Sequence, residues 1–242
     1  MGHPHDPGSH SHHNSVWISH NDVNGMSFWS DRSGGEIRHK RIVKFEDSGD
    51  CSYLIAEHEW INDNGKVLLL ETRQVTALLL ADSEWLLVID IELKPKHDEI
   101  TLGKAPFGMI GVRMAKTIGV NDGGGTIRYS EGAVNEKEVL WKRAKWVDYS
   151  GPITNENMEG VTLFDHPQDP NFPAYFHVRN DGWMGASLTF DELRKIRPNE
   201  PLHLCYGLYV HCEMKSREAI EAKRKQFSET PPAKLEKAAR SK

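Results

Sequence analysis

The stretch "CSYLIAEHEWINDNGKVLLLETRQVTALLLADSEWLLVIDIEL" constrains the fold more than any other feature of the chain. Strand-length segments rich in aliphatic and β-branched residues follow one another, broken only by short clusters of Asn, Asp, Gly and Ser. The spacing predicts strands over residues 37–45, 52–61, 66–77 and 84–93, joined by "EDSGD", "NDNG" and "ADS", which are turn chemistries suited to antiparallel hairpins. In the last of these strands Trp85, Leu87, Ile89, Ile91 and Leu93 share one face and Asp90 and Glu92 the other, the alternation of a half-buried strand. Further strands are expected over 107–117, 126–130, 145–149, 161–164, 175–179, 184–190 and 202–211. No helices alternate with them, so a parallel α/β sheet is disfavoured and the expected fold is an all-β, antiparallel β-sandwich. Only residues 216–227 read as a helix, before a Pro-Pro break. The expected organisation is a flexible His-rich lead-in over 1–11, one sandwich domain over 12–213, and a helix with a polar tail over 214–242.

The chain's 242 residues, 38% of them apolar, suffice for one sizeable core. Thirty basic against 35 acidic side chains leave a net charge of −5, no footprint for wrapping nucleic acid. From Lys215 onward the balance is +5, which reads as a solvated helix and frayed end. The longest apolar runs are interrupted by Glu71, Arg73, Asp90 and Glu92, so no membrane span is expected, and no signal peptide is visible. Cys51, Cys205 and Cys212 are too few and too scattered for a disulfide framework or a zinc site and read as buried free thiols. The glycines of "NDGGGTIRY" lead into a strand, which suits a turn better than a phosphate cradle.

Three sets of side chains carry the chemistry. Six of the thirteen histidines fall in the first twenty residues, and in "HSHHNSVWISH" His10 and His12 share a face of an extended segment while His13 points away. Imidazole suits both metal ligation and proton transfer, although no HExxH or facial carboxylate motif accompanies the cluster, and a purification tag is a competing reading. In "GVTLFDHPQDPNFPAYFHVRNDGW", Asp165 and His166 end a strand ahead of a loop that returns at His177 and Arg179. That corner is either a pocket rim or a capped turn. Trp17, Trp29, Trp146, Tyr149, Tyr175, Phe176 and Trp183 lie near these polar groups in sequence, and flat apolar faces beside His, Asp, Arg and Asn suit a sugar ring as well as a core. The third set is Glu57, Glu59, Glu71, Arg73, Asp90 and Glu92; Glu71 and Arg73 share a strand face, either as a surface ion pair or as base and anion anchor on a concave face.

Taken together, "HSHHNSVWISHNDVNGMSFW", "AKWVDYSGP" with "GVTLFDHPQDPNFPAYFHVRNDG", and "LCYGLYVH" resemble the DUF6807 family, often labelled PmoA-like, over residues 10–211. The label implies a subunit of particulate methane monooxygenase, which is an integral membrane protein and does not suit a chain without a membrane span. The resemblance otherwise implies a sandwich of the galactose-mutarotase supersandwich type and carbohydrate chemistry. It singles out His12, His13, Trp17, His20, Asp22, Asn24 and Trp29, then Trp146, Asp148, Asp165, His166, Pro167, His177 and Arg179, and finally Tyr209 and His211, with no catalytic assignment. Family members usually carry further strands before the histidine block, so an internal start or truncation at Met1 is expected.

The resulting expectation is a carbohydrate-active sandwich binding a small sugar, with no nucleic-acid or membrane partner. His12, His13, His20, Asp165, His166 and His177 would be its catalytic groups, one histidine acting as base and another as acid in enolisation, epimerisation or elimination. Trp17, Asp22, Asn24, Trp29, Arg73, Trp146 and Arg179 would contact the substrate, Arg179 steadying negative charge. The rivals are a noncatalytic sugar-binding module and a histidine-ligated metal enzyme. The sequence names no cofactor and assigns no residue to a metal.

Overall fold

A computed structural model of the chain describes residues 10, 12–80, 83–233 and 235. Most of the expected lead-in and the end of the tail therefore lie outside the described residues. Four long strands, β2 (Glu36–Ser48), β3 (Cys51–Ile61), β4 (Val67–Leu79) and β5 (Trp85–Pro95), form the anticipated meander. The β2–β3 hairpin turns through Gly49 and Asp50, with Ser48 opposite Cys51, and Gly49 takes a φ of +56° that few other residues adopt cheaply.

These strands belong to an eight-stranded antiparallel sheet in the order β2-β3-β4-β5-β15-β11-β10-β8. Its remaining members are β8 (Thr126–Tyr129), β10 (Trp146–Pro152), β11 (Met158–Asp165) and β15 (Leu202–Cys212). A second sheet, ordered β1-β7-β13-β12-β9, contains β1 (Val16–Ile18), β7 (Met109–Arg113), β9 (Lys142–Arg143), β12 (Tyr175–Arg179) and β13 (Trp183–Ser187). The short strands β6 (Ile100–Leu102) and β14 (Arg194–Ile196) pair apart from both. The all-β antiparallel sandwich read from the sequence is the observed architecture, with α1 (Val120–Gly123) and α2 (Asn135–Val139) as brief helical turns between strands.

The main core lies between the sheets. Ile89, Ile91 and Leu93 of β5 contribute to it with Leu204, Tyr206 and Leu208 of β15 and Val112, Phe176, Val178 and Met184 of the smaller sheet. The alternation in "EWLLVIDIEL" is borne out, but the opposite face of β5 is also covered. Leu86 and Val88 pack on a second cluster of Trp146, Phe164, Cys205, Tyr209, Ile220 and Phe227, and buried Asp90 accepts the Ala233 backbone N–H. The cover is α3 (Arg217–Glu229), capped by Ser216, whose hydroxyl accepts the Ala219 N–H. The C-terminal helix is thus where the sequence placed it, yet it is a working part of the sandwich. Cys205 is buried, Cys51 and Cys212 are half-buried, and none of the three is in a disulfide.

Where β2 closes one edge of the large sheet, its ladder is broken by irregularities between His39 and Arg41 and between Ile42 and Lys44. Bulges and a charge-rich strand are the usual protection of an edge against pairing with another chain. Among the described residues no helix is long and apolar enough to cross a membrane.

Candidate functional site

Register alone assembles a site on the outer face of the smaller sheet. Trp17 pairs with Gly111, Gly111 with Gly185, and Gly185 with His177, one residue from each of four adjacent strands. Their chain neighbours Ile18, Ile110, Val112, Met184, Ala186, Phe176 and Val178 point into the core, so this row points away from it. Gly111 makes the row possible: a Cβ there would lie 2.2 Å from Cζ2 of Trp17, so only glycine lets the indole lie across the strand. Arg113, Trp183 and Arg179 form the next row of the same face.

On this shelf the N-terminal segment lays its imidazoles. The His13 ring stacks on Trp17 with centroids 4.7 Å apart and planes 9° from parallel. It also meets His12 at 4.0 Å, Trp183 at 5.0 Å and Trp29 at 5.5 Å. His177 lies against the other side of the cluster, 4.1 Å from Trp183 and 5.8 Å from Phe107, which itself packs on Trp29 at 4.6 Å. Arg113 donates to Asp181, which also lies 3.9 Å from His10, and Arg179 pairs with Glu136 at 2.8 Å.

Beyond His177 the cluster opens. The Trp141 ring, 47% exposed, stands 6.4 Å from that imidazole and 6.2 Å from Phe190. Lys104, Ala105, Pro106, Trp141 and Phe190 line a groove of about 250 Å³. Phe190 stacks on Tyr175, over which the Arg143 guanidinium sits at 4.4 Å. Trp141 is held at a φ of +60°, a strained conformation for so bulky a residue, by its N–H bond to the Phe176 carbonyl.

Burial holds His13 and His177 in their neutral form at neutral pH. Burial pushes His13 down to about 3, helped by His12, His10, Arg113 and His177 around it. His177 is pushed down to about 4, again by burial first and then by Arg179. Both ring nitrogens of His13, Nε2 of His12, and the indole N–H groups of Trp17 and Trp183 are buried without a hydrogen-bond partner among the described residues. Among the described residues no group of three or more His, Cys, Asp or Glu is arranged to hold a metal ion.

The structure therefore gathers His12, His13, Trp17, Trp29, His177 and Arg179 and leaves the other expected site residues elsewhere. His20 is on the core side, its Nε2 bonded to the Thr189 hydroxyl at 2.9 Å and its Nδ1 accepting the Asp22 N–H. Asp22 accepts from the Gly25 N–H, and Asn24 accepts from the Thr101 N–H, so both shape the loop that seats Val23 against Leu102. Asp165 ends β11 on the core-facing side of the large sheet, and His166 follows it towards α3. Asp165 accepts the Ala174 N–H at 2.8 Å, and His166 sets its ring edge-on to Phe227 of α3 at 5.1 Å. Burial pushes both Asp165, to about 7, and Asp169 upward, and the Asp165 charge raises Asp169 further.

Trp146 lies beneath α3 and donates to Glu221. Arg73 bonds Glu71 at 2.6 and 2.5 Å, and Glu71, only 1% exposed, also accepts from the Trp60 indole; this pair is on the large sheet and is no surface ion pair. Asp148 and His211, on the same face of the large sheet as Trp146, are fully paired. The Asp148 carboxylate accepts from His211, Thr162, Ser150 and Arg128, which tie four strands together. Phe107, Arg113, Trp141 and Phe190 escape the sequence reading, because nothing in their spacing links them to the histidine block; Arg113 comes there by strand pairing and the three aromatics from loops next to the paired strands.

The fold and this face define an antiparallel β-sandwich with an aromatic and imidazole shelf on its smaller sheet. The chain belongs to the family of unknown function DUF6807, whose model matches residues 1–225. No curated protein matches it.

Proposed function

We propose that the outer face of the smaller sheet binds a neutral, polyhydroxylated ring, a sugar or keto-sugar, on the shelf between His13 and Trp141. The observation that carries this reading is the set of buried polar atoms on His12, His13, Trp17 and Trp183 that find no partner among the described residues. Each such atom costs about 1–3 kcal/mol if it stays unpaired, and native proteins seldom leave several in one place. A ligand with hydroxyls around an apolar ring offers partners to those atoms and C–H faces to the flanking indoles. Trp141 supplies an exposed aromatic plane at the mouth, and its strained backbone fits a residue retained for contact rather than for packing.

Binding is favoured over acid–base catalysis by the depressed imidazole pKa values. A histidine acid–base pair in enolisation, epimerisation or elimination works best with one imidazolium as the acid, and burial leaves neither His13 nor His177 in that form at neutral pH. The methane-oxygenase label gains no support from the described residues, among which no membrane-spanning helix occurs.

The test is a tryptophan-fluorescence titration of the full chain with neutral mono- and disaccharides and their keto forms, with proton NMR in D2O run on the same mixtures. A saturable change that weakens at least about tenfold in Trp141→Ala is expected, with no exchange of sugar carbon-bound protons. Absence of any saturable response at millimolar sugar would sink the proposal, and rapid C–H exchange would restore the catalytic reading.

A further inference from the structure

On the opposite side of the molecule, where α3 does not reach, the outer face of β2 to β5 encloses a cavity of about 530 Å³. Its floor and walls follow from strand register. Glu57 pairs with Thr72 and Thr72 with Glu92 in one row, while Leu70 pairs with Lys94 in the next, so all project from one face. The irregularities flanking Arg41 in β2 bring Lys40 and Arg41 into the opposite wall.

The charges of this cleft are unequally committed. Arg41 bonds Glu57 through two nitrogens at 2.8 and 2.9 Å, and Lys40 bonds Glu59 at 2.7 Å. Those acids are neutralised from the β2 side. Among the described residues Glu92 is paired with His203, at 3.6 Å, and with no Lys or Arg. Lys94 on β5 and Lys96 just past its end enter no ion pair among the described residues. A cross-strand acid is the usual partner of a strand lysine, but the residue opposite Lys94 on β4 is Leu70. Lys94 and Lys96 thus bring two ammonium groups outside any ion pair into a concavity floored by Leu70 and the Thr72 hydroxyl; Glu71, which also lines it, is committed to Arg73, and Glu92 is the one lining acid held by no Lys or Arg among the described residues.

We infer that this cleft is a binding site for a small oxyanion, a carboxylate or phosphate carried on a compact organic body, gripped by Lys94 and Lys96 with the body resting on Leu70 and Thr72. The site is independent of the sugar shelf and stands or falls separately from it.

The experiment follows amide resonances of the isotope-labelled full chain during titration with inorganic phosphate and, in a second arm, citrate, at ionic strength held constant with sodium chloride. Saturable shifts confined to residues around Leu70, Thr72 and Lys94 in either arm are expected, and the stronger arm identifies the preferred oxyanion. The double variant Lys94→Gln/Lys96→Gln should weaken that binding at least about tenfold, while Lys66→Gln, at a lysine already paired with Asp98, should change it less than about threefold. Non-saturating shifts in both arms, or shifts spread over surface lysines and unchanged in the double variant, would overturn the inference.

Discussion

His20 sits with no exposed surface, and burial holds its imidazole down at about 4 against an ordinary value near 6.5. In the unfolded chain the ring takes up a proton as the pH falls through 6.5; in the folded protein it stays neutral until about 4. Its contribution to stability is therefore complete above pH 6.5 and is lost as the pH falls from there towards 4, by about 3 kcal/mol at the end of that window. Thermal melts between pH 7.5 and 4.5 should show a steep loss of stability in the wild-type chain and a shallower one in His20→Asn, whose amide has no such titration. Equal slopes would show that His20 does not carry the effect. His13 and His177, pushed the same way, steepen the wild-type curve further in the same window. At this scale the residue types were informative but their roles were not: the sequence singled out both His20 and His13, and only hydrogen bonds separate a satisfied core ring from one whose nitrogens lack partners.

At the scale of elements, the long strands were legible because a period of two with turn residues at each end leaves little else for the backbone to do. The short strands β1, β6, β9 and β14 have two or three residues each and carry no periodic signal of their own; partners elsewhere in the chain supply their hydrogen bonds. The helix α3 was legible in place but not in purpose. Its composition is polar, yet Ile220 and Phe227 fall on the side that closes the second cluster, with Phe227 2% exposed against Phe164 and His166. Phe227→Ala should cost about 3–5 kcal/mol, read as a lower midpoint in urea unfolding, because it opens a cavity in that cluster. A change below about 1 kcal/mol would mean that the helix rests on the sheet without supporting it.

For the whole molecule, the consequence is a separation of surfaces. The aromatic shelf faces outward from the smaller sheet and the lysine cleft outward from the larger one, with two sheets about 10 Å apart between them. Sites so placed, with no shared partner, are expected to act independently. Saturating the cleft with the preferred oxyanion should leave sugar affinity unchanged within about twofold, and Trp141→Ala should leave oxyanion affinity equally untouched; coupling in either titration would show a linkage through the core. Strand order also explains why the expected pocket divides. Asp165 ends β11 of the large sheet and His166 follows it, while His177 lies on β12 of the small one, although only ten residues separate the two histidines.

By itself the sequence determined the fold class, the long strands, the terminal helix and the imidazole- and aromatic-rich chemistry, since these depend on side-chain alternation, turn residues and composition, all local properties of the chain. Only the tertiary structure decided which polar groups share a surface. That depends on which strands pair and in what register, and pairing places Trp17, Gly111, Gly185 and His177 side by side from positions far apart in the chain, while it sends Asp165, His166, Trp146 and Arg73 to other faces.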